Sequence, residues 1–185
     1  EDGILRESEL NKNGELHGEN IFYRPDGSIE KSTEYKEGSS HGNTNLYNTA
    51  GELMIQIHYQ NGFAISYSYT GKDGKLVPAI SINAVKDSAV GYYKNGVKSA
   101  VFHFENEDEH GERTLYHNTG AVYSVEQRHI GYVHGVRKTY FANGKLQKEE
   151  SFYHGRNEGP LKEYFPSGKL KSEKTFVNDD PHGTW

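Results

Sequence analysis

Tyr140-Phe141-Ala142-Asn143-Gly144-Lys145-Leu146 returns 24 residues later as Tyr164-Phe165-Pro166-Ser167-Gly168-Lys169-Leu170. The two glycines belong to a series that runs along the whole chain: Gly3, Gly27, Gly51, Gly74, Gly96, Gly120, Gly144 and Gly168, with steps of 22 to 24 residues. Other positions keep the same phase. Four residues before the glycine stands Tyr23, Tyr47, Tyr92, Tyr116, Tyr140 or Tyr164, and only Thr70 breaks the column. Two after it stands Leu5, Ile29, Leu53, Leu76, Val122, Leu146 or Leu170, with Lys98 the exception. Eight after it comes Tyr35, Tyr59, Ile82, Phe104, Phe152 or Phe176; Asn11 and Arg128 depart from that column. A second glycine follows at eleven (Gly14, Gly38, Gly62, Gly131, Gly155) and a third at fifteen (Gly18, Gly42, Gly111, Gly135, Gly159, Gly183). Chance does not hold so many columns in register, and a fixed period of this length marks a repeat architecture.

The columns have a mechanism. Asp26-Gly27, Asp73-Gly74, Asn95-Gly96 and Asn143-Gly144 are steps that supply the positive φ angles of a tight hairpin turn. The second glycine, as in Asn61-Gly62, makes another turn. Between turns, apolar residues fall at every second position, as in Leu53, Ile55, Ile57 and Tyr59. Side chains alternate along a strand, so these share one face, and Glu30, Ser32 and Glu34 mark a polar one. The third glycine is expected to let a neighbouring aromatic pack against the backbone. Each unit reads strand, turn, strand, turn. The fold class is all-β: an elongated, twisted or curled antiparallel meander of tandem ~24-residue β-hairpin repeats, with about 15 strands. At ~4.8 Å per strand, a single sheet would run roughly 70 Å. The units of this single repeat domain, 1–185, are 1–18, 19–42, 43–66, 67–88 (irregular), 89–111, 112–135, 136–159 and 160–185.

Composition agrees. Of 185 residues only 33% are hydrophobic, while 21 are Gly and 14 are Tyr, which suits a thin β structure with a shallow core. The net charge of −5 gives no basic stripe for nucleic acid. The absence of cysteine excludes disulfides and thiol chemistry. No apolar run nears the ~18–20 residues of a membrane helix. A chain beginning at Glu1 reads as trimmed, with the compartment open between cytoplasm and export.

Residues 63–91 break the rule: Ser66 replaces the third glycine, Pro78 edges a strand, and the later glycines are gone. This stretch reads either as a join between two stacks of four units or as a binding patch on Tyr67, Tyr69, Tyr92 and Tyr93. The acidic run Glu105-Asn106-Glu107-Asp108-Glu109 replaces a turn. It reads as a solvated loop, or as a contact for a basic partner or a loose calcium site, and it lacks the alternation and glycine of an EF-hand loop. Phe22, Tyr93, Phe141 and Phe165, one step off the tyrosine column, are expected on the opposite face, where aromatic rows suit a protein interface. The candidate partner-binding residues are Tyr67, Tyr69, Tyr92, Tyr93, Glu105, Glu107, Asp108, Glu109, Phe141 and Phe165.

Five histidines share one phase, His17, His41, His110, His134 and His182. Copies two strands apart would sit roughly 10 Å from one another, too far to share zinc, so no metal or other cofactor is expected. No nucleophile elbow, phosphate loop or His-Glu-x-x-His occurs, and the chain reads as a non-enzyme.

The pattern Tyr-x-x-(Asn/Asp)-Gly-Lys-Leu, then an aromatic, then Gly-x-x-x-Gly, resembles the MORN-variant repeat. The segments at 140–146 and 164–170 carry it, as do Tyr23-Arg24-Pro25-Asp26-Gly27 and the His-Gly steps. Bacterial proteins built this way resemble the YwqK-type antitoxin family. That resemblance implies a non-catalytic protein-binding module, an antitoxin or immunity protein that neutralises a cognate toxin. The alternative is an exported structural or cell-surface repeat protein.

Overall fold

The repeat folds into hairpins, and its two kinds of turn are built differently. In the computed structural model, which describes residues 6–83 and 85–182, the chain is all-β, with no helix among the described residues. Gly3, Leu5 and Gly183, the ends of the repeat columns, lie outside them. The strands are β1 (Glu7–Ser8), β2 (Asn11–Lys12), β3 (Glu15–Leu16), β4 (Gly18–Tyr23), β5 (Ile29–Lys36), β6 (Ser39–Tyr47), β7 (Leu53–Gln60), β8 (Phe63–Ser68) and β9 (Ile80–Ser81). There follow β10 (Lys86–Tyr92), β11 (Lys98–Glu105), β12 (Asp108–Glu109), β13 (Gly111–Tyr116), β14 (Val122–His129), β15 (Tyr132–Val133), β16 (Gly135–Tyr140), β17 (Leu146–Tyr153), β18 (Arg156–Tyr164), β19 (Leu170–Val177) and β20 (Asp180–His182).

At the anchor glycine the turn closes from the glycine N–H to the carbonyl three residues back, for example Gly27 to Arg24 at 2.9 Å and Gly144 to Phe141 at 2.8 Å. Only the glycine of each Asx-Gly pair takes positive φ. The preceding Asp or Asn works through its side chain instead. Asp26 Oδ1 accepts the Ser28 N–H at 2.9 Å, and Asn95 and Asn143 Oδ1 accept those of Val97 and Lys145 at 3.0 Å. This is the Asx-turn role of these residues, not the two-residue hairpin expected from Asn-Gly. That hairpin occurs at the second turn, where both central residues have positive φ: Asn61 and Gly62, Ile130 and Gly131, His154 and Gly155. The third glycine is the cross-strand partner of an aromatic in four units, Gly18 of Tyr35, Gly42 of Tyr59, Gly135 of Phe152 and Gly159 of Phe176. A Cβ on Gly42 would collide with the Glu34 side chain, whose carboxylate accepts the Asn43 N–H at 2.6 Å.

The expected antiparallel meander of hairpin repeats is present, and the irregular stretch divides it into two sheets, as the reading of a join between two stacks of units has it. The strands form a seven-stranded sheet (β1-β4-β5-β6-β7-β8-β9), an eleven-stranded sheet (β10 to β20) and the small β2-β3 hairpin, all antiparallel. The chain leaves the first sheet after β9 and enters the second at β10. The two sheets then lie face to face, with β7 against β10 and β11. Leu46, Ile55, Ile57 and Ala64 of the first sheet pack with Ala89, Tyr93, Ala100, Phe102 and Phe104 of the second. The reason is physical: one open sheet would leave its apolar face in water, and folding it back covers that face. The Ser99 hydroxyl donates to the Met54 carbonyl across the contact. At Gly91 the backbones approach so closely that an added Cβ would sit 3.1 Å from Ile55 Cβ and overlap the Met54 carbonyl.

Two stability outcomes follow. Gly91→Ala is expected to destabilise by about 1–3 kcal/mol, because neither sheet can yield without opening the core; urea unfolding reads this directly. Ile130 holds a φ of 49° with a β-branched, 54% exposed side chain. Ile130→Asn is expected to raise stability by about 1 kcal/mol, since Asn tolerates that region far better.

Candidate functional site

The inward columns of the two sheets change character with distance from the fold-back. Six residues after the anchor glycine stand Thr33, Ile57, Ile80, Phe102, Glu126 and Glu150 in successive units. Cross-strand pairing puts Thr33, Thr44, Ile57 and Tyr67 in one row of the first sheet. Ala89 and Phe102 are paired in the second. Farther along that sheet Arg113 faces Glu126, and Arg137 faces Glu150. The middle of the molecule is therefore apolar, and the inner faces become polar and charged on either side of it.

Where the apolar packing ends, a cavity of about 400 Å³ opens between the sheets. Its walls include Lys31, Tyr35, Thr44, Ile57 and Tyr59 from the first sheet and Phe102, Glu109, Arg113 and Arg128 from the second. The 106–107 and 130–131 turns stand at its mouth. Glu126, 2% exposed, is held between Arg113, Arg128 (2.8 Å) and Arg137 (3.6 Å). Glu109 reaches Arg113 at 3.5 Å and Arg128 at 3.6 Å. Burial pushes the Glu126 carboxyl up, but the three guanidinium groups outweigh it and hold the group below the usual carboxylate range. Arg137 continues the ladder to Glu150 at 3.1 Å, and Lys148 reaches Glu150 at 2.7 Å.

Lys31 differs from these paired groups. Its Nζ lies 4.4 Å from the centre of the Phe22 ring, and among the described residues no carboxylate stands within ion-pair distance of it. Burial, then repulsion from Arg113 and Arg128, lowers its ammonium from 10.5 to about 8. Burial likewise holds the Tyr59 hydroxyl above its ordinary range.

The expected site residues are dispersed by the structure. Tyr67 packs against the core, and Tyr69 meets Tyr92 with ring centres 5.1 Å apart. These three lie along the seam between the sheets. Tyr93 is corrected: it is 2% exposed, inside the core, and its hydroxyl donates to the Tyr116 carbonyl at 2.6 Å. The alternation that placed Tyr93, Phe141 and Phe165 outward stops one residue earlier, at a register shift, and these residues open the anchor turn instead. Arg24 and His117 occupy the same place, and each bonds the tyrosine carbonyl of the next repeat. Phe141 is half-buried and Phe165 is 48% exposed.

In the acidic run, Asn106 and Glu107 make the turn, and Asp108–Glu109 pairs back onto β11. Glu109 points inward to the arginines, which corrects its expected role as an outer contact. Glu105 and Glu107 are exposed, and Asp108 is half-buried. The histidines also differ from expectation. His129 and His154, off the repeat phase, bring His110 and His134 into one cluster with ring centres 5.0 to 6.1 Å apart. Among the described residues no group of three or more His, Asp or Glu is arranged to hold a metal ion.

Lys31, Arg113, Glu126 and Arg128 were not singled out by the sequence reading. Their signal was present as charged residues in columns that are apolar in the central units. It becomes meaningful only when those columns are known to face a second sheet.

The family described as MORN repeat variant matches residues 16–37, 133–153 and 157–178. Three segments of the chain are thus similar to the MORN-variant repeat, and they lie in both sheets. Repeats of this type are generally protein- or membrane-binding modules and are typically non-catalytic. No curated protein matches the chain.

Glu126→Gln is expected to cost about 3–5 kcal/mol, because it leaves three guanidinium groups without their common partner; thermal or urea unfolding measures it. Lys31 gives a pH signature. Between about pH 8 and pH 10.5 the unfolded chain still binds a proton that the folded chain has released, so this group's contribution to stability rises with pH. The stability difference between Lys31→Met and the parent should therefore shrink across that window, while tyrosine ionisation acts on both proteins alike.

Proposed function

We propose that this chain is a non-catalytic protein-binding repeat module whose contact surface is the far half of the eleven-stranded sheet. The observation that carries this reading is exposure. Beyond β14 the second sheet outruns the first, and Val136, Tyr153, Phe165, Leu170 and Val177 are 42% to 60% exposed. Strand alternation puts Val136, Tyr153 and Val177 on the face away from the first sheet. Between them run the cross-strand pairs Lys138–Glu149 (3.5 Å) and Lys162–Glu173 (3.4 Å). Apolar anchors set among charged groups are the composition of a protein interface rather than of a nucleic-acid or catalytic surface. Phe141 and Phe165 lie at the anchor-turn edge of this region, while Tyr67, Tyr69 and Tyr92 serve the seam.

The narrower reading is that the partner is a bacterial toxin which this module neutralises. The resemblance of its repeats to antitoxin and immunity proteins supports it. Co-expression with the product of the adjacent gene is expected to give a stable complex and protection from toxicity. Tyr153→Ser and Phe165→Ser should each weaken the complex by about tenfold or more with little change in the melting temperature. Absence of both complex and protection would overturn the toxin reading. A partner that binds both of these variants as well as it binds the parent would overturn the surface.

A further inference from the structure

The cavity between the sheets holds a charge, that of Lys31, which no carboxylate of the described residues meets within ion-pair distance. Arg113 and Arg128 are committed to Glu109 and Glu126. Lys31 lines the same space as both arginines, and its Nζ lies 4.4 Å from the centre of the Phe22 ring. An ammonium offers three N–H donors, and a ring face leaves them without acceptors. At the mouth the polarity reverses. Glu107 and Asp108 line the cavity there, and the carboxylates whose charge reaches Lys31 are Glu30 and Glu109, not these two. The cavity thus has a cationic floor, an acidic mouth and apolar wall area from Ile57, Tyr59 and Phe102. Its volume of about 400 Å³ lies within the range of small-molecule sites.

We infer that this cavity binds a small amino-acid-like zwitterion, its carboxylate on Lys31, its ammonium towards Glu107 and Asp108, and its apolar body between Ile57, Tyr59 and Phe102. A simple anion would satisfy Lys31 but leave the mouth unmatched, and a dianion would be repelled there. A cation without an acid group would meet the three positive side chains inside. The site lies between the sheets, so it is independent of the outer protein-binding face.

The test uses the full chain and four probes that share a phenyl group: phenylalanine, hydrocinnamate, phenethylamine and phenyl phosphate. Calorimetry and the NMR signal of the Lys31 side chain report binding. Phenylalanine is expected to bind most tightly, hydrocinnamate more weakly, and phenethylamine not at all. Lys31→Met should weaken phenylalanine binding by about tenfold or more, the loss typical of one charge-assisted hydrogen bond. Asp108→Asn should weaken phenylalanine and leave hydrocinnamate unchanged. The Lys31→Met chain should remain folded, since it replaces a half-buried cation by an apolar side chain. Binding of none of the probes would show a cavity that holds only water and would overturn the inference. Equal binding by the parent and Lys31→Met, or phenylalanine no tighter than hydrocinnamate, would overturn it as well.

Discussion

A β-sheet built from hairpin repeats has an apolar face that must be covered, and in this protein the cover is the sheet itself. The burial of Ile55 and Ile57 against Ala89, Ala100 and Phe102 is the contact on which the rest depends. It requires the chain to give up the second kind of turn between β9 and β10, while the anchor turn at Gly71–Gly74 keeps its form, and it requires Gly91 at the point of closest approach. The irregular unit is therefore the means by which a linear repeat becomes a two-layered body. Its aromatics, Tyr67, Tyr69 and Tyr92, fill the seam that the reversal creates.

The same reversal sets where charge can be placed. Near the seam the two inner faces touch, and the buried columns are mostly apolar. Farther out the facing side chains are arginine, glutamate and lysine, and they survive because each carboxylate bridges several cations. Glu126 shows the balance, since burial acts against its ionisation and three guanidinium groups prevail. Lys31 shows the limit, a cation on the same inner surface without an ion-pair partner among the described residues. From β16 onward apolar groups such as Val136, Tyr153, Leu170 and Val177 stand in solvent, although Glu150 and Phe152 of β17 are still buried. A core, a polar cavity and a free sheet thus follow one another along the same repeat, set by what lies opposite each unit.

Much of this was legible in the amino-acid order. The glycine series placed the turns, and alternation assigned Ile55, Ile57 and Tyr59 to strand faces. Turn chemistry was legible in outline but not in assignment, because Asn-Gly can act through backbone angles or through the asparagine side chain. Tyr93 was misplaced because alternation was carried one residue into a turn, where it no longer holds. Glu109 looked like part of a solvated run, yet its partner arginines lie on β13 and β14 and turn it inward.

By itself the sequence determined the hairpin unit, its period, the positions of its turns and which residues share a face, because these depend on local backbone geometry and on the two-residue period of a strand. Only the tertiary structure decided that the meander folds into two facing sheets, that Glu126 is buried among arginines and that Lys31 is left alone in a cavity. Those outcomes depend on what comes to lie opposite a face, and strand periodicity carries no record of that.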